Sequence, residues 1–223
     1  MRNLVLGISL AVFTIFHESD ALAEGGPSFD CAKASTATER TICDDPYSML
    51  MDWEIARQFG VLRSMHPGIV AEQVRWLKQR DRCQDDRACL WSVLSGRWVA
   101  LGHRIEEDLG IPKLSGVYNY VIRPNEITGD LTLAAGPGGN YGFFISTVTL
   151  RRGHLCEIIA ANASRGDTGD VSWRIPQTDR ALTLTPSEDG VVTLEIEYDD
   201  ERSFCGASAY LHGPYQLTVE GDN

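Results

Sequence analysis

Gly110-Ile111-Pro112-Lys113 is the stretch that decides the fold, because the period of the sequence changes there. Before it, apolar residues recur at helical spacing. After it, they alternate or cluster in Thr-, Val- and aromatic-rich runs. Each side is long enough to bury a core of its own, since a unit of about 100 residues already hides well over half of its unfolded surface.

Working upstream, Arg87 to about Glu107 carries Leu90, Leu94, Trp98 and Leu101 on one stripe, after the polar turn Gln84-Asp85-Asp86. Ile69 to about Arg82 reads as a second helix, with Val70, Val74 and Leu77 on one face and Trp76 beside them. His66-Pro67-Gly68 breaks the chain before it. A third helix begins at Asp44-Asp45-Pro46, an Asp cap with Pro in the first turn, and carries Met51, Ile55, Phe59 and Leu62. Thr36-Ala37-Thr38-Glu39 reads as a capping box opening a two-turn helix that ends near Cys43. Helices of this length are marginal alone, so they are expected to pack as a small antiparallel bundle.

Working downstream, residues 130–134, 141–150, 181–185 and 191–198 have strand character. Gly136-Pro137-Gly138-Gly139, Arg165 to Gly169 and Ser187 to Gly190 supply turns. Seven or eight short strands imply an antiparallel barrel or sandwich. Gly116-Val117-Tyr118 opens this half and Gly213-Pro214-Tyr215 closes it. The echo is either coincidence or the mark of first and last strands paired to close the sheet. The fold class is therefore α+β: an N-terminal disulfide-stapled helical bundle over 28–107, then an antiparallel β-barrel or β-sandwich domain over 114–220.

Residues 1–23 read as a secretory signal peptide: Arg2, an apolar run from Leu4 to Phe16, and the cleavage site Ala21-Leu22-Ala23. The run is shorter than the roughly 20 residues that span a bilayer. The expectation is a periplasmic or secreted protein cleaved near Ala23, with no membrane insertion. The whole chain has a net charge of −11, and the mature chain would keep −10. Such acidity disfavours nucleic acid and anionic membrane, and favours a cation or a basic protein. The densest acidic run is Glu195, Glu197, Asp199, Asp200 and Glu201, at an expected strand end. As a solvated acidic turn it confers solubility only; as a partner-facing run it steers a basic target.

Six cysteines follow the signal: Cys31, Cys43, Cys83, Cys89, Cys156 and Cys205. An even count after an export signal points to three disulfides. Metal spacing is missing, with five residues between Cys83 and Cys89 and no nearby histidine. No nucleophile elbow, zinc-protease helix or phosphate loop is present, so neither an enzyme nor a cofactor is expected. Trp53, Trp76, Trp91 and Trp98 fall in helices, whereas Trp173 in Val171-Ser172-Trp173-Arg174-Ile175 is the one read as an exposed platform for a protein or glycan.

Ser28-Phe29-Asp30-Cys31-Ala32-Lys33-Ala34, the Thr41-Ile42-Cys43 helix end, and Gln73-Val74-Arg75-Trp76-Leu77-Lys78-Gln79-Arg80-Asp81-Arg82-Cys83 before Cys89-Leu90 resemble the lysozyme inhibitor LprI-like family. The resemblance covers residues 28 to about 107. It implies an exported helical protein, with lysozyme inhibition attributed to some members, and brings no functional residues that map here. Arg80 and Asp81 read as a pair tying a helix end to its neighbour, or as a partner contact. The β half resembles, more loosely, a domain found with such modules. There a strand ending in Cys156 and the Phe204-Cys205-Gly206-Ala207 segment suggest a Cys156–Cys205 bond. In the helical half Cys31–Cys43 and Cys83–Cys89 would close local loops, and a crossed pairing is the alternative. The expected function is non-catalytic binding of a basic lysozyme with occlusion of its glycan cleft. The alternative is an envelope module that binds another protein or a glycan. The anchor that would enter a cleft has no sequence signature, and the loops around His154, Tyr210 and His212 are candidates by residue type alone.

Overall fold

The computed structural model describes residues 26–122, 124–207 and 209–218. The expected signal peptide and its cleavage site lie outside the described residues. Four helices, α1 (Ala37–Cys43), α2 (Pro46–Met65), α3 (Ile69–Arg80) and α4 (Arg87–Leu109), precede a closed antiparallel barrel. The eight strands are β1 (Gly116–Tyr120), β2 (Ile127–Ala135), β3 (Tyr141–Thr149), β4 (Leu155–Arg165), β5 (Val171–Arg174), β6 (Ala181–Pro186), β7 (Val191–Glu195) and β8 (Gly213–Leu217). A short helix, α5 (Tyr198–Phe204), lies between β7 and β8.

Local chemistry sets the helix ends. Thr36 and Glu39 form the reciprocal capping box, and the Thr36 amide, with the amide and hydroxyl of Ser35, donates to the Glu39 carboxylate and holds it down at about 2. Asp45 caps α2 ahead of Pro46, and Asp86 caps α4 through the Cys89 amide. On α4, Leu90, Leu94, Trp98 and Leu101 are fully buried, as their spacing predicts.

The buried face of α3 differs from the one its valines suggest. Val70 and Val74 are 48% and 49% exposed, and the stripe facing inward is Ile69, Gln73, Trp76 and Arg80. Polar side chains can be buried there because each is paired. Gln73 accepts two hydrogen bonds from Arg97, and Arg80 donates to Asp52 on α2 at 3.1 Å and to Asp81 at 2.9 and 3.0 Å. Asp52 also accepts from the Ser28 amide and hydroxyl, so one buried carboxylate joins α2, α3 and the N-terminal segment.

The barrel closes by pairing its first and last strands, Tyr118 with Leu217 and Tyr120 with Tyr215. Every strand has two neighbours, although β4 meets β5 only at Ser164–Ser172 and Arg165–Val171, and Cys156 bridges to Cys205 further along that edge. Inward positions carry large side chains: Tyr118, Tyr120, Tyr141, Phe143, Ile145 and Tyr215 are all buried. The tyrosine hydroxyls are satisfied, with Tyr118 donating to the Leu114 carbonyl and Tyr215 to the Leu211 carbonyl.

The helices cover the outer face of β2–β4. Phe144 packs there against Tyr47 and Trp91, with ring centroids 4.7 and 5.2 Å away. Tyr47 also donates its hydroxyl to Glu157 on β4. Gly142 and Gly102 permit the close approach: a Cβ on Gly142 would meet Trp98 Cζ2 at 2.6 Å, and one on Gly102 would meet the Ala135 amide nitrogen at 2.9 Å. Gln58 bridges the layers by donating to the carbonyls of Trp98 and Ala135. One hydrophobic cluster runs through helices and barrel alike.

The connecting segment is fixed at both sides. Glu106, fully buried on α4, accepts the amides of Leu114 and Ser115 at 2.8 Å and the Tyr141 hydroxyl at 2.9 Å. Three disulfides are present: Cys31–Cys43, Cys83–Cys89 and Cys156–Cys205, the uncrossed arrangement. Among the described residues, no helix is long and apolar enough to cross a membrane.

Candidate functional site

The strand directions gather four connections at the barrel end away from the connecting segment. These are the loop after β1, the β3–β4 hairpin, the β5–β6 turn, and the long segment from β7 to β8 that contains α5. That last segment lies across the mouth. Leu211 and Ala209 are buried, and Phe204 reaches Trp173, 6.3 Å between centroids. Trp173 in turn meets Phe143 edge-to-face at 5.9 Å. The tryptophan expected to be an exposed platform therefore points into the barrel and is partly buried in the core. Its place on β5 explains this, since it shares the inward face with buried Val171.

Two anchors hold the mouth segment. Cys205 is bonded to Cys156, whose side chain is fully buried on β4. Glu201 accepts the amides of Leu211 and His212 and contacts His212 Nδ1 at 2.8 Å. The acidic run of the sequence is thus split. Residues 196–198 do not continue the strand; β7 stops at Glu195 and the chain turns into α5. Glu201 and Asp200 are buried, and Asp200 pairs with Arg180 at 3.3 Å. Glu197 is exposed and pairs with the same arginine at 3.1 Å. Glu195 and Asp199 are exposed. Two of the five acidic residues therefore build the mouth segment, and three face solvent.

Around this closed mouth lies an apolar rim. Leu150, Leu155 and Tyr198 are exposed by 54%, 46% and 62%, and Val121 and Ile122 are exposed beside them. The pieces touch. The Leu150 amide donates to the Glu126 carbonyl, the Gly206 amide donates to the Leu155 carbonyl, and the Thr147 hydroxyl donates to the Tyr210 carbonyl. Tyr210 and His212 stack edge-to-face at 5.6 Å. Between hairpin and rim is a pocket of about 260 Å³ lined by Glu126, Ile127, Thr149, Arg151, Arg152 and Tyr210. A second, of about 390 Å³, lies against α5 between Tyr198 and Tyr210.

Of the loop candidates, His154, Tyr210 and His212 all fall at this end. His154 sits at the hairpin base, where its amide donates to the Thr149 hydroxyl. The hairpin tip, Leu150-Arg151-Arg152-Gly153, had no signal in the sequence beyond adjacent basic residues before a glycine. Among the described residues no group of His, Cys, Asp and Glu is arranged to hold a metal ion. The surface offers apolar area, aromatic rims and a few charges, which suits recognition of another molecule. No family model, curated protein or solved structure matches this chain.

Proposed function

We propose that this is an exported, non-catalytic member of the lysozyme inhibitor LprI-like family that binds a basic lysozyme and occludes its glycan cleft through the rimmed end of the barrel. The observation that carries the reading is the clustering of Leu150, Leu155, Tyr198, Val121 and Ile122 around one barrel mouth. An apolar patch with a polar border on an otherwise acidic body is the expected form of a protein-binding surface. The resemblance of residues 28 to about 107 supplies the target class. Three disulfides suit the oxidising compartment in which lysozymes act. The charge of −11 on the whole chain favours encounter with a basic enzyme.

The test is lysis of a cell-wall substrate by c-type, g-type and i-type lysozymes with and without the mature protein, at low and moderate salt. Slowed lysis by at least one of them, weaker at higher salt, supports the reading. No effect and no binding to any of the three at micromolar concentration removes it and leaves an envelope module that binds another protein or a glycan.

A further inference from the structure

The β3–β4 hairpin carries an unusual charge. The barrel half is acidic, yet Arg151 and Arg152 stand side by side at a hairpin tip, both exposed. The other described basic side chains of this half are engaged. Lys113 pairs with Glu107, Arg165 donates to the Tyr141 hydroxyl, Arg174 pairs with Asp179, Arg180 pairs with Glu197 and Asp200, and Arg202 lies over the Tyr198 ring. Neither Arg151 nor Arg152 has a hydrogen-bond or ion-pair partner among the described residues. Both line the 260 Å³ pocket, and Leu150 beside them is more than half exposed.

The tip is held in place by its base. The Thr149 amide donates to the His154 carbonyl, the Gly153 amide to the Thr149 carbonyl, and the Leu150 amide ties the hairpin to Glu126. Cys156, one residue beyond the first residue of β4, is locked to Cys205. Two guanidinium groups that have no partner among the described residues, on a braced hairpin bordered by apolar surface, form an anchor of the kind that dominates interfaces, where arginine is enriched. A guanidinium matches a carboxylate in planar, two-point geometry.

We propose that Arg151 and Arg152 are the anchor that enters the partner's cleft and pairs with its carboxylates. This rests on the lysozyme-binding reading above. The argument is charge complementarity at two ranges. A glycan hydrolase cleft of this class carries two carboxyl groups flanking the scissile bond. An enzyme that is basic outside and acidic within its cleft is matched by a protein that is acidic overall and basic at one projecting tip. The long-range charge brings the pair together, and the tip pairs at short range.

The experiment uses the full mature chain and a basic c-type lysozyme. Binding kinetics are measured for the wild type, for Arg151→Ala with Arg152→Ala, and for Arg151→Lys with Arg152→Lys. A parallel series contains a short N-acetylglucosamine oligomer that fills the cleft. The double alanine variant is expected to lose about thirtyfold or more in affinity, mainly through faster dissociation. The lysine variant should recover part of the loss, because a point charge replaces the two-point contact. The oligomer should compete with the wild type. Wild-type binding with an unchanged alanine variant overturns the anchor and leaves the inhibitor reading standing. Loss of binding in the alanine variant without oligomer competition overturns the cleft assignment. Absence of wild-type binding to this lysozyme overturns the anchor for the c-type cleft, and absence of binding to g-type and i-type lysozymes as well overturns the inhibitor reading with it. The hairpin tip is solvent-exposed, so folding of the variants is confirmed directly by circular dichroism.

Discussion

Two buried carboxylates near the helix–barrel seam titrate in opposite directions, and their partners explain why. Glu54 on α2 is almost wholly buried. Burial pushes its carboxyl up, and Arg57 alone opposes this. Glu106 is as buried, and burial would raise it too, but the His103 ring 3.3 Å away and the hydrogen bonds donated by Leu114, Ser115 and Tyr141 together bring it below the ordinary range. For Glu106 the folded state favours the charged form. Its contribution is therefore present above the ordinary carboxylate range and lost as pH falls through the folded value. Glu106→Ala leaves two amides and a tyrosine hydroxyl without an acceptor. It should cost about 3–5 kcal/mol near neutral pH, with a narrowing difference from wild type in acid. Denaturant unfolding across pH checks this. For Glu54 the folded state favours the neutral form, so its penalty is absent in acid and grows as pH rises. Glu54→Gln should raise the melting temperature near neutrality and leave it unchanged in acid. An equal shift at both pH values would mean that charge is not the cause.

The α5 helix turns a composition feature into two kinds of residue. Glu201→Lys places a cation where two amides need an acceptor, and should destabilise by about 3–5 kcal/mol. Glu195→Lys and Asp199→Lys should change stability by less than about 0.5 kcal/mol and slow association with a basic lysozyme instead. Thermal unfolding and stopped-flow binding of the same variants separate the two groups. This division was illegible in the sequence, where Glu195-Ile196-Glu197-Tyr198 simply prolongs an alternating strand. The chain leaves the strand because Cys205 must meet Cys156 and Glu201 must meet Leu211, both long-range requirements. The α3 face failed for the same kind of reason, since Arg80 and Gln73 are buried through partners on other helices. Where one element decides the outcome, as in the α4 stripe, the capping box or the Asp45-Pro46 start, the sequence was sufficient. The Gly-x-Tyr echo left coincidence and closure equally open; β1 and β8 do pair, but out of register with the echo, since Tyr215 faces Tyr120 and Tyr118 faces Leu217. The apolar rim and the hairpin arginines were not legible, because exposure at a shared barrel end is a property of topology.

At the scale of the molecule, the question is whether the helices and the barrel unfold together. Their sequence periods suggest two units, 28–107 and 114–220, each with its own core. The structure nonetheless runs one hydrophobic cluster through both, with Trp98 and Gln58 against β2 and β3 and Glu106 stitching the connecting segment to Tyr141. Stripping the helices away would bare Phe144 and Gly142 on the barrel, and would bare Trp98 and Gly102 on α4. The expected behaviour is one cooperative transition, with the helical circular dichroism signal and the amide-exchange protection of the barrel strands lost at the same denaturant concentration. Gly142→Ala sharpens the test because it crowds the seam alone. The added methyl would lie 2.6 Å from Trp98 Cζ2, closer than packed carbons tolerate, so the helical layer must shift. Overpacking of this kind costs about 1–3 kcal/mol. In a single cooperative unit both signals should move to lower denaturant together, with midpoints still coincident. If the helical signal is lost first while the barrel's midpoint stays at its wild-type value, the two halves are separate folding units and the shared cluster is only a contact between them.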